Sequence, residues 1–303
     1  MNGTKKAAPE GFLNVSKPYG WTSHDVVQLV RRLTRTRRVG HAGTLDPAAT
    51  GVLVVAVGRA TRLVDYLGEQ DKSYCGDVVL GATTTTDDAE GSVLGARDPS
   101  TVTLDQVTRA LSGFVGEIDQ LPPQYSAVKL EGKKAYEIAR KGGLAAVRPR
   151  RVTIKGIAVV AWEPPIVSLM VRCSKGTYIR SLARDLGQRL GVGGHLGALV
   201  RVSSGVFDCE DAIGVEDLRL AAEFDYLEKL IWPPDVAVAH LPALVVAERH
   251  AEDMMGGRSW AATSPPQGTK SVRVYTTEGV FLGLAELREM RWWPKLVLLP
   301  EEQ

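Results

Sequence analysis

The 303-residue sequence predicts an α+β fold with a small, separate C-terminal unit. Three observations carry this. Strand-like and helix-like segments follow one another without the regular strand–helix alternation of a doubly wound sheet. The chain is longer than one ordinary core accommodates. The segment Ile231-Trp232-Pro233-Pro234 reads as a linker, and the segments after it are short and mostly strand-like.

Residues 12–16 read as a strand, closed by a Lys17-Pro18-Tyr19-Gly20 turn. Thr22 with Asp25 three positions on is a capping-box signal. It opens a helix with apolar Val26, Val27, Leu29, Val30 and Leu33, which the glycine rule stops near Gly40. Residues 51–57 are an apolar, strand-sized run, and 73–80 alternate loosely as a half-buried strand. Residues 83–91 read as a polar turn. Thr103 caps a short helix ending at Gly113. Residues 120–130 read as extended, 131–133 as a turn and 134–140 as a short basic helix. Residues 152–162 and 166–173 read as paired strands around Pro164-Pro165, and 177–190 as an amphipathic helix closed by Gly191. Beyond the linker, 241–257 hold a strand and a helix; strands come at 272–275, 280–287 and 296–299.

Hydrophobic residues make up 44% of the chain and charged residues 24%, the balance of an ordinary globular protein. The net charge of +2 hides a strong asymmetry. Residues 125–190 carry 14 Lys/Arg against 4 Asp/Glu, whereas 208–228 carry 1 Arg against 8 acids. A basic face of this kind suits a phosphate backbone, and also fits a plain solvated surface. Three cysteines without a C-x-x-C pattern read as reduced thiols of a cytoplasmic protein. The polar first ten residues lack a signal-peptide core, and no apolar run approaches membrane-spanning length. Phosphate-loop, dinucleotide-binding and H-E-x-x-H motifs are absent, and His and Cys show no ligand spacing, so neither cofactor nor metal is expected.

Three residues stand out as carriers of chemistry. Asp46 sits in a Gly/Thr/Pro-rich loop between a basic helix and an apolar strand, where a carboxylate can be presented as nucleophile or anchor. Followed by Pro47, it equally fits a helix cap. Tyr74 fits either a base-stacking platform or a core aromatic. Arg180, one turn into a helix, fits either a carboxylate partner or a surface charge. A carboxylate, an arginine and an aromatic together suit chemistry on a base taken out of its stack.

The motif Gly40-His41-Ala42-Gly43-Thr44-Leu45-Asp46-Pro47 closely resembles the signature of the TruB-type tRNA pseudouridine synthases. Lys17-Pro18-Tyr19-Gly20-Trp21-Thr22-Ser23 is similar to that family's first motif. Lys72-Ser73-Tyr74, with Leu80-Gly81 and residues 85–91, is similar to its tyrosine motif. Pro122-Pro123-Gln124-Tyr125 through Lys129, and Gly132-Lys133-Lys134-Ala135-Tyr136, resemble its RNA-gripping insertion. Residues 174–186 resemble its arginine motif, and His195-Leu196-Gly197-Ala198-Leu199-Val200-Arg201 its closing segment. Six matches in family order over residues 12–207 are highly specific. Residues 239–303 resemble, more weakly, a PUA-like RNA-binding domain.

The resemblance implies a mixed, mostly antiparallel sheet flanked by helices. It divides the chain into a disordered tail (1–10), a catalytic domain (11–238) with an insertion at about 120–150, and the PUA-like domain (239–303). It implies isomerisation of uridine 55 in the tRNA T loop, with Asp46 as catalytic carboxylate. Tyr74, Arg180, Tyr178 and Lys17 would support the pocket. His41, Arg37, Arg38, Lys129, Lys133, Lys134 and Arg201 would contact RNA. No cofactor, membrane or obligate protein partner is implied, and a monomer suffices. Two other readings use the same basic face: an RNA chaperone without chemistry, which has no need of Asp46, and an unrelated aspartate-nucleophile enzyme. The latter wants a second carboxylate or an acidic metal cluster, neither evident in sequence near Asp46.

Overall fold

Strand β1 (Gly11–Lys17) leads into helix α1 (Ser23–Thr34) in the computed structural model, which describes residues 9–125, 129–130, 133–134, 148–263, 265 and 267–298. The Thr22 hydroxyl accepts from the Asp25 amide at 3.1 Å and the Asp25 carboxylate accepts from the Thr22 amide at 2.8 Å, the predicted capping box. The helix ends at Thr34, not near Gly40: Arg35 turns left-handed (φ 52°). Strand β2 (Val39–His41) comes next, and its pairing with β3 (Ala49–Val57) claims residues that continued helix would have used.

A 3-10 turn and α2 (Val64–Gly68) connect β3 to β4 (Lys72–Leu80). The expected polar turn is the tip of a hairpin formed by β5 (Ala82–Thr84) and β6 (Val93–Ala96). Helix α3 (Leu104–Ser112), capped by Thr103, precedes β7 (Gly116–Gln120). Strands β8 (Lys129–Leu130) and β9 (Lys133–Lys134) pair with each other, so Lys133 and Lys134 are in strand rather than turn and helix. The helix expected at 135–140 lies outside the described residues. Strands β10 (Arg150–Glu163) and β11 (Ile166–Cys173) form the expected hairpin. Helix α4 (Ile179–Leu190) ends at Gly191, and β12 (Gly194–Ser204), β13 (Phe207–Asp208) and α5 (Val215–Glu223) complete this part of the chain.

The main sheet runs β1-β3-β12-β4-β11-β10-β7, with β2 on β3 and β13 on β12. Every pairing is antiparallel except β3 with β12. That parallel contact is short: Ala49, Thr50 and Gly51 against Leu199, Val200 and Arg201. Gly51 sits at φ +95°, and a Cβ there would lie 2.3 Å from the Arg201 carbonyl oxygen. Only glycine tolerates that backbone and that approach.

After α5 come β14 (Ala243–Val246), α6 (Glu248–Met255), β15 (Trp260–Ala261), β16 (Ser271–Thr276), β17 (Phe281–Arg288) and β18 (Arg291–Val297), whose strands form a second sheet. The last strand lies earlier than the expected 296–299. Pro294 reads as a strand breaker, but it stands where the register shifts, and a bulge is a place where a sheet accepts proline. The expected linker is a packed strap: the Phe12 amide donates to Trp232 O at 2.9 Å and the Trp232 amide to Phe12 O at 2.7 Å. Leu284, Leu296 and Leu298 share one apolar cluster with Phe12, Val54, Phe207 and Val238, joining the two sheets. In the segment expected to be a loose tail, Glu10 pairs with Arg59; residues 1–8 lie outside the described residues.

Replacing Gly51 by Ala forces a side chain onto the Arg201 carbonyl. We expect a loss of at least about 2 kcal/mol in denaturant unfolding, from backbone strain and displacement of β12.

Candidate active site

The ends of β3, β4, β11 and β12 meet at one rim of the main sheet. Along one edge of β3, β12 pairs up to Gly51 and β2 pairs from Val55, while the Ala42 amide takes the Val54 carbonyl at 2.9 Å. The two strands diverge between these points. The Val52 carbonyl in the fork accepts instead from Arg201 Nε at 2.6 Å, and Arg201 Nη2 reaches Gly43 O at 3.2 Å. Arg201 is 1% exposed. Above the fork opens a cavity of about 260 Å³ whose lining includes Asp46, Lys72, Tyr74, Tyr178, Arg180 and Arg201.

The Asp46 loop is held by main-chain contacts. Ser23 Oγ donates to Leu45 O at 3.1 Å and accepts from Leu45 N at 2.9 Å. Lys17 Nζ donates to Pro47 O (3.2 Å), Pro18 O (2.9 Å) and Trp21 O (2.6 Å), and the Gly20 amide donates to Pro47 O at 2.9 Å. Asp46 starts a single turn, with Ala49 N donating to Asp46 O at 3.0 Å, and then β3; no helix succeeds it, so the helix-cap alternative falls.

Arg180 Nε lies 3.0 Å from Asp46 Oδ2. Burial is lopsided: the Arg180 side chain is 7% exposed and the Asp46 side chain 43%. The arginine is the buried member, and the carboxylate faces the cavity. The rest of the guanidinium is spoken for, with Nη1 donating to Thr86 O (3.2 Å) and Asp88 Oδ2 (3.4 Å) and Nη2 to Tyr125 O (3.0 Å). A fork fixed on several sides holds its carboxylate in one orientation. The Asp88 hairpin is itself docked, through Arg184 Nη1 on Asp87 Oδ2 at 2.8 Å and the Leu196 amide on Asp87 O at 3.0 Å.

Tyr74 is 8% exposed and lines the cavity, with burial raising its hydroxyl pKa so that the phenol stays protonated. Tyr178 is positioned by Gln120, whose amide donates to Tyr178 O at 3.0 Å and accepts from Tyr178 N at 2.8 Å. Lys17 is fully buried beneath the Asp46 loop. Burial, opposed by the charge of Asp46, brings its ammonium down to about 8. His41 is half-buried, its pKa lowered by burial and then by the charge of Arg201. Arg37 and Arg38 are exposed. Lys129, Lys133 and Lys134 fall in β8 and β9, and their side chains lie outside the described residues. Arg201 needs correction: expected on the RNA-facing surface, it is a buried stitch between β3 and the Asp46 loop. Gln120 is a site residue that the sequence does not single out. Asp88, Ser23 and Lys72 stand within the quoted motifs, which give them no role of their own.

The family model described as TruB family pseudouridylate synthase (N terminal domain) matches residues 31–179, and that of the tRNA pseudouridylate synthase B C-terminal domain matches residues 180–239. A protein of Trichormus variabilis named tRNA pseudouridine synthase B is 41% identical over 295 residues, covering 96% of this chain and 99% of its own. The chain belongs to the TruB family of pseudouridylate synthases. A Microcystis aeruginosa relative of the same name is 43% identical over 296 residues, covering 95% and 99%. Among solved structures, the crystal structure of a Cbf5-Nop10-Gar1 complex superposes with a TM-score of 0.75 at 28% identity, covering 97% of this chain and 86% of the matched one. The expected mixed, mostly antiparallel architecture agrees with that neighbour.

Lys17 makes stability depend on pH. Its folded value of about 8 lies below the ordinary 10.5, so between these limits unfolding takes up a proton and the Lys17 contribution to stability rises with pH. We expect the unfolding free energy of the wild type, minus that of Lys17→Met, to increase from pH 8 to pH 10 in parallel denaturation series, and to be flat below that window.

Proposed function

We propose that this chain isomerises uridine 55 in the T loop of tRNA to pseudouridine, with Asp46 as the catalytic carboxylate. The observation that carries the reading is the Asp46–Arg180 pair: a carboxylate open to a nucleoside-sized cavity, oriented by a buried arginine. Membership of the TruB family and relatives named tRNA pseudouridine synthase B support the substrate class.

The reaction breaks the C1′–N1 bond, turns the uracil over and joins C1′ to C5. The C5 proton leaves and N1 gains one, so atoms and electrons balance without an external oxidant or reductant. Asp46 engages the ring or the sugar. Arg180 holds the carboxylate aimed at the cavity. Tyr74 stacks on the flipped uracil, where its protonated hydroxyl also suits it to proton handling at C5. Tyr178, its backbone set by Gln120, lines the same cavity. Lys17 anchors the Asp46 loop from behind. His41 occupies the space that the flipped nucleotide vacates. Arg37 and Arg38, with the basic insertion at about 120–150, take phosphates, and the C-terminal sheet serves as a PUA-like module extending the RNA contact. One protein copy per tRNA in the cytoplasm suffices for this scheme.

The decisive measurement is tritium release from an unmodified tRNA transcript labelled at uridine C5. Wild type releases label from the T-loop uridine; Asp46→Asn releases none while binding tRNA as tightly. Equal release by both sinks the role of Asp46, and release by neither leaves an RNA-binding protein.

Salt dependence reports the phosphate contacts. Replacing both Arg37 and Arg38 by Ala should weaken tRNA affinity and flatten the plot of log affinity against log salt by about 2. An unchanged slope removes these residues from the interface.

A further inference from the structure

The cavity carries one acidic and three basic side chains among its described lining residues. Its charge is balanced at one end only, where Arg180 meets Asp46 and Asp88. The other end holds Lys72 and Arg201, 7% and 1% exposed. Both are satisfied by neutral groups, carbonyls for each and the Tyr74 hydroxyl for Arg201 as well. Lys72 Nζ donates to Gly68 O at 3.0 Å and Gln70 O at 2.8 Å, using two of its three donors. Arg201 serves Val52 O and Gly43 O.

The carboxylates flanking Lys72 in sequence are engaged elsewhere. Glu69 pairs with Lys175, and Asp71 pairs with Lys155 at 2.7 Å and Arg172 at 3.2 Å. The neighbouring Cys173 thiol, pushed up to about 11 by burial, supplies no negative charge. Gly43 stands between the two cations: a Cβ there would lie 3.5 Å from Arg201 Nη1 and 3.6 Å from Lys72 Cε. Its lack of a side chain keeps that part of the cavity open.

A desolvated ammonium without a counter-ion is unfavourable, and sites of this kind mark places where charge arrives with the substrate. Burial and the charge of Arg201 bring Lys72 down to about 8, which leaves it mostly protonated at neutral pH. In the isomerisation the anionic species is the base. When C1′–N1 breaks, the electron pair leaves with the uracil ring and spreads onto O2 and O4. The ring then returns a pair to C1′ through C5, loses the C5 proton and gains one at N1.

We propose that Lys72 is a catalytic residue of this reaction: its ammonium, backed by Arg201, stabilises the negative charge that collects on the uracil ring as the C1′–N1 bond breaks. The proposal rests on the uridine-isomerase reading. A preorganised cation at a developing charge acts on the transition state more than on the bound substrate. The same cationic pair could instead seat a phosphate of the flipped nucleotide, and the two sources separate experimentally.

Single-turnover rates and tRNA affinities of wild type, Lys72→Met and Lys72→Gln provide the test. The transcripts carry either uridine or 5-fluorouridine at the target position. Fluorine stabilises the ring anion by itself, so cleavage of that substrate leans less on the protein. With uridine, Lys72→Met should slow turnover about 100-fold at unchanged tRNA affinity. The loss of C1′–N1 cleavage with 5-fluorouridine, read from digested nucleosides, should be at least about tenfold smaller. Lys72→Gln retains a donor for the Gly68 and Gln70 carbonyls, and thermal melts with tRNA affinity report whether each variant folds. Equal losses on both substrates, or an unchanged rate, overturn the proposal. Weaker binding with a shallower salt dependence and unchanged turnover assigns the seat to a phosphate and also overturns it. A wild type that releases no C5 tritium sinks the isomerase reading itself, whereas an active wild type with an unaffected Lys72→Met sinks only the role of Lys72.

Discussion

The site exists because one edge of β3 is shared by two strands that diverge. β12 leaves it after Gly51, β2 joins it at Val55, and the carbonyl between them must be satisfied by something other than a strand. A buried unpaired carbonyl costs about 1–3 kcal/mol. Arg201 Nε fills the gap at 2.6 Å, and the same guanidinium reaches forward to Gly43 O in the Asp46 loop. One side chain thus closes the ladder defect and ties the loop to the sheet. The fork opens a crevice at the rim of a sheet without exposing an unpaired edge, the geometry in which mixed sheets hold ligands. Gly51 is the steric condition for it, since the parallel contact brings β3 within touching distance of the Arg201 backbone.

Within that crevice the asymmetry of burial matters more than the presence of an ion pair. A fully buried pair gives up solvation of both charges, and its net worth is often near zero. Here only Arg180 gives up its water, and it recovers hydrogen bonds from Thr86 O, Tyr125 O and Asp88. The carboxylate keeps a free side toward the cavity, so its orientation is fixed while its lone pairs remain available to a substrate. The elements that hold the arginine come from distant parts of the chain. The β5–β6 hairpin docks on β12, and Gln120 at the end of β7 clamps the backbone where α4 begins. Loss of any of these moves Arg180 before it touches Asp46.

How much the sequence made legible depends on the range of the interactions. The Thr22 cap, the apolar run of β3, the β10–β11 hairpin and the Gly191 helix stop are decided within a few residues and read correctly. The Asp46, Tyr74 and Arg180 motifs were equally visible, and they converge on one cavity. The misreadings are long-range. An arginine on a strand looks like surface, and only the fork in β3 makes Arg201 a buried stitch. Ile231-Trp232-Pro233-Pro234 has the composition of a linker, but a Trp beside Gly11 and Phe207 packs rather than swings. Gln120 carries no local signature, and the motif that contains Lys72 does not reveal its role, because their partners are main-chain atoms of other elements or the carbonyls of a helix end.

The dominance of main-chain contacts around Asp46 bears on how the site meets RNA. A cavity of about 260 Å³ floored by strands is of nucleoside size, and on the proposed reading the target leaves its stack to enter it, at a cost of a few kcal/mol. On the proposed reading that cost is offset by phosphate contacts outside the cavity, at the exposed Arg37 and Arg38, and not by rearrangement within it. Ser23, Lys17 and Arg201 already fix the loop through carbonyls and amides that no substrate need supply. On the proposed reading, binding energy from the RNA can therefore go into flipping the base, while the carboxylate and the cations lining the same cavity stand in place before the nucleotide arrives.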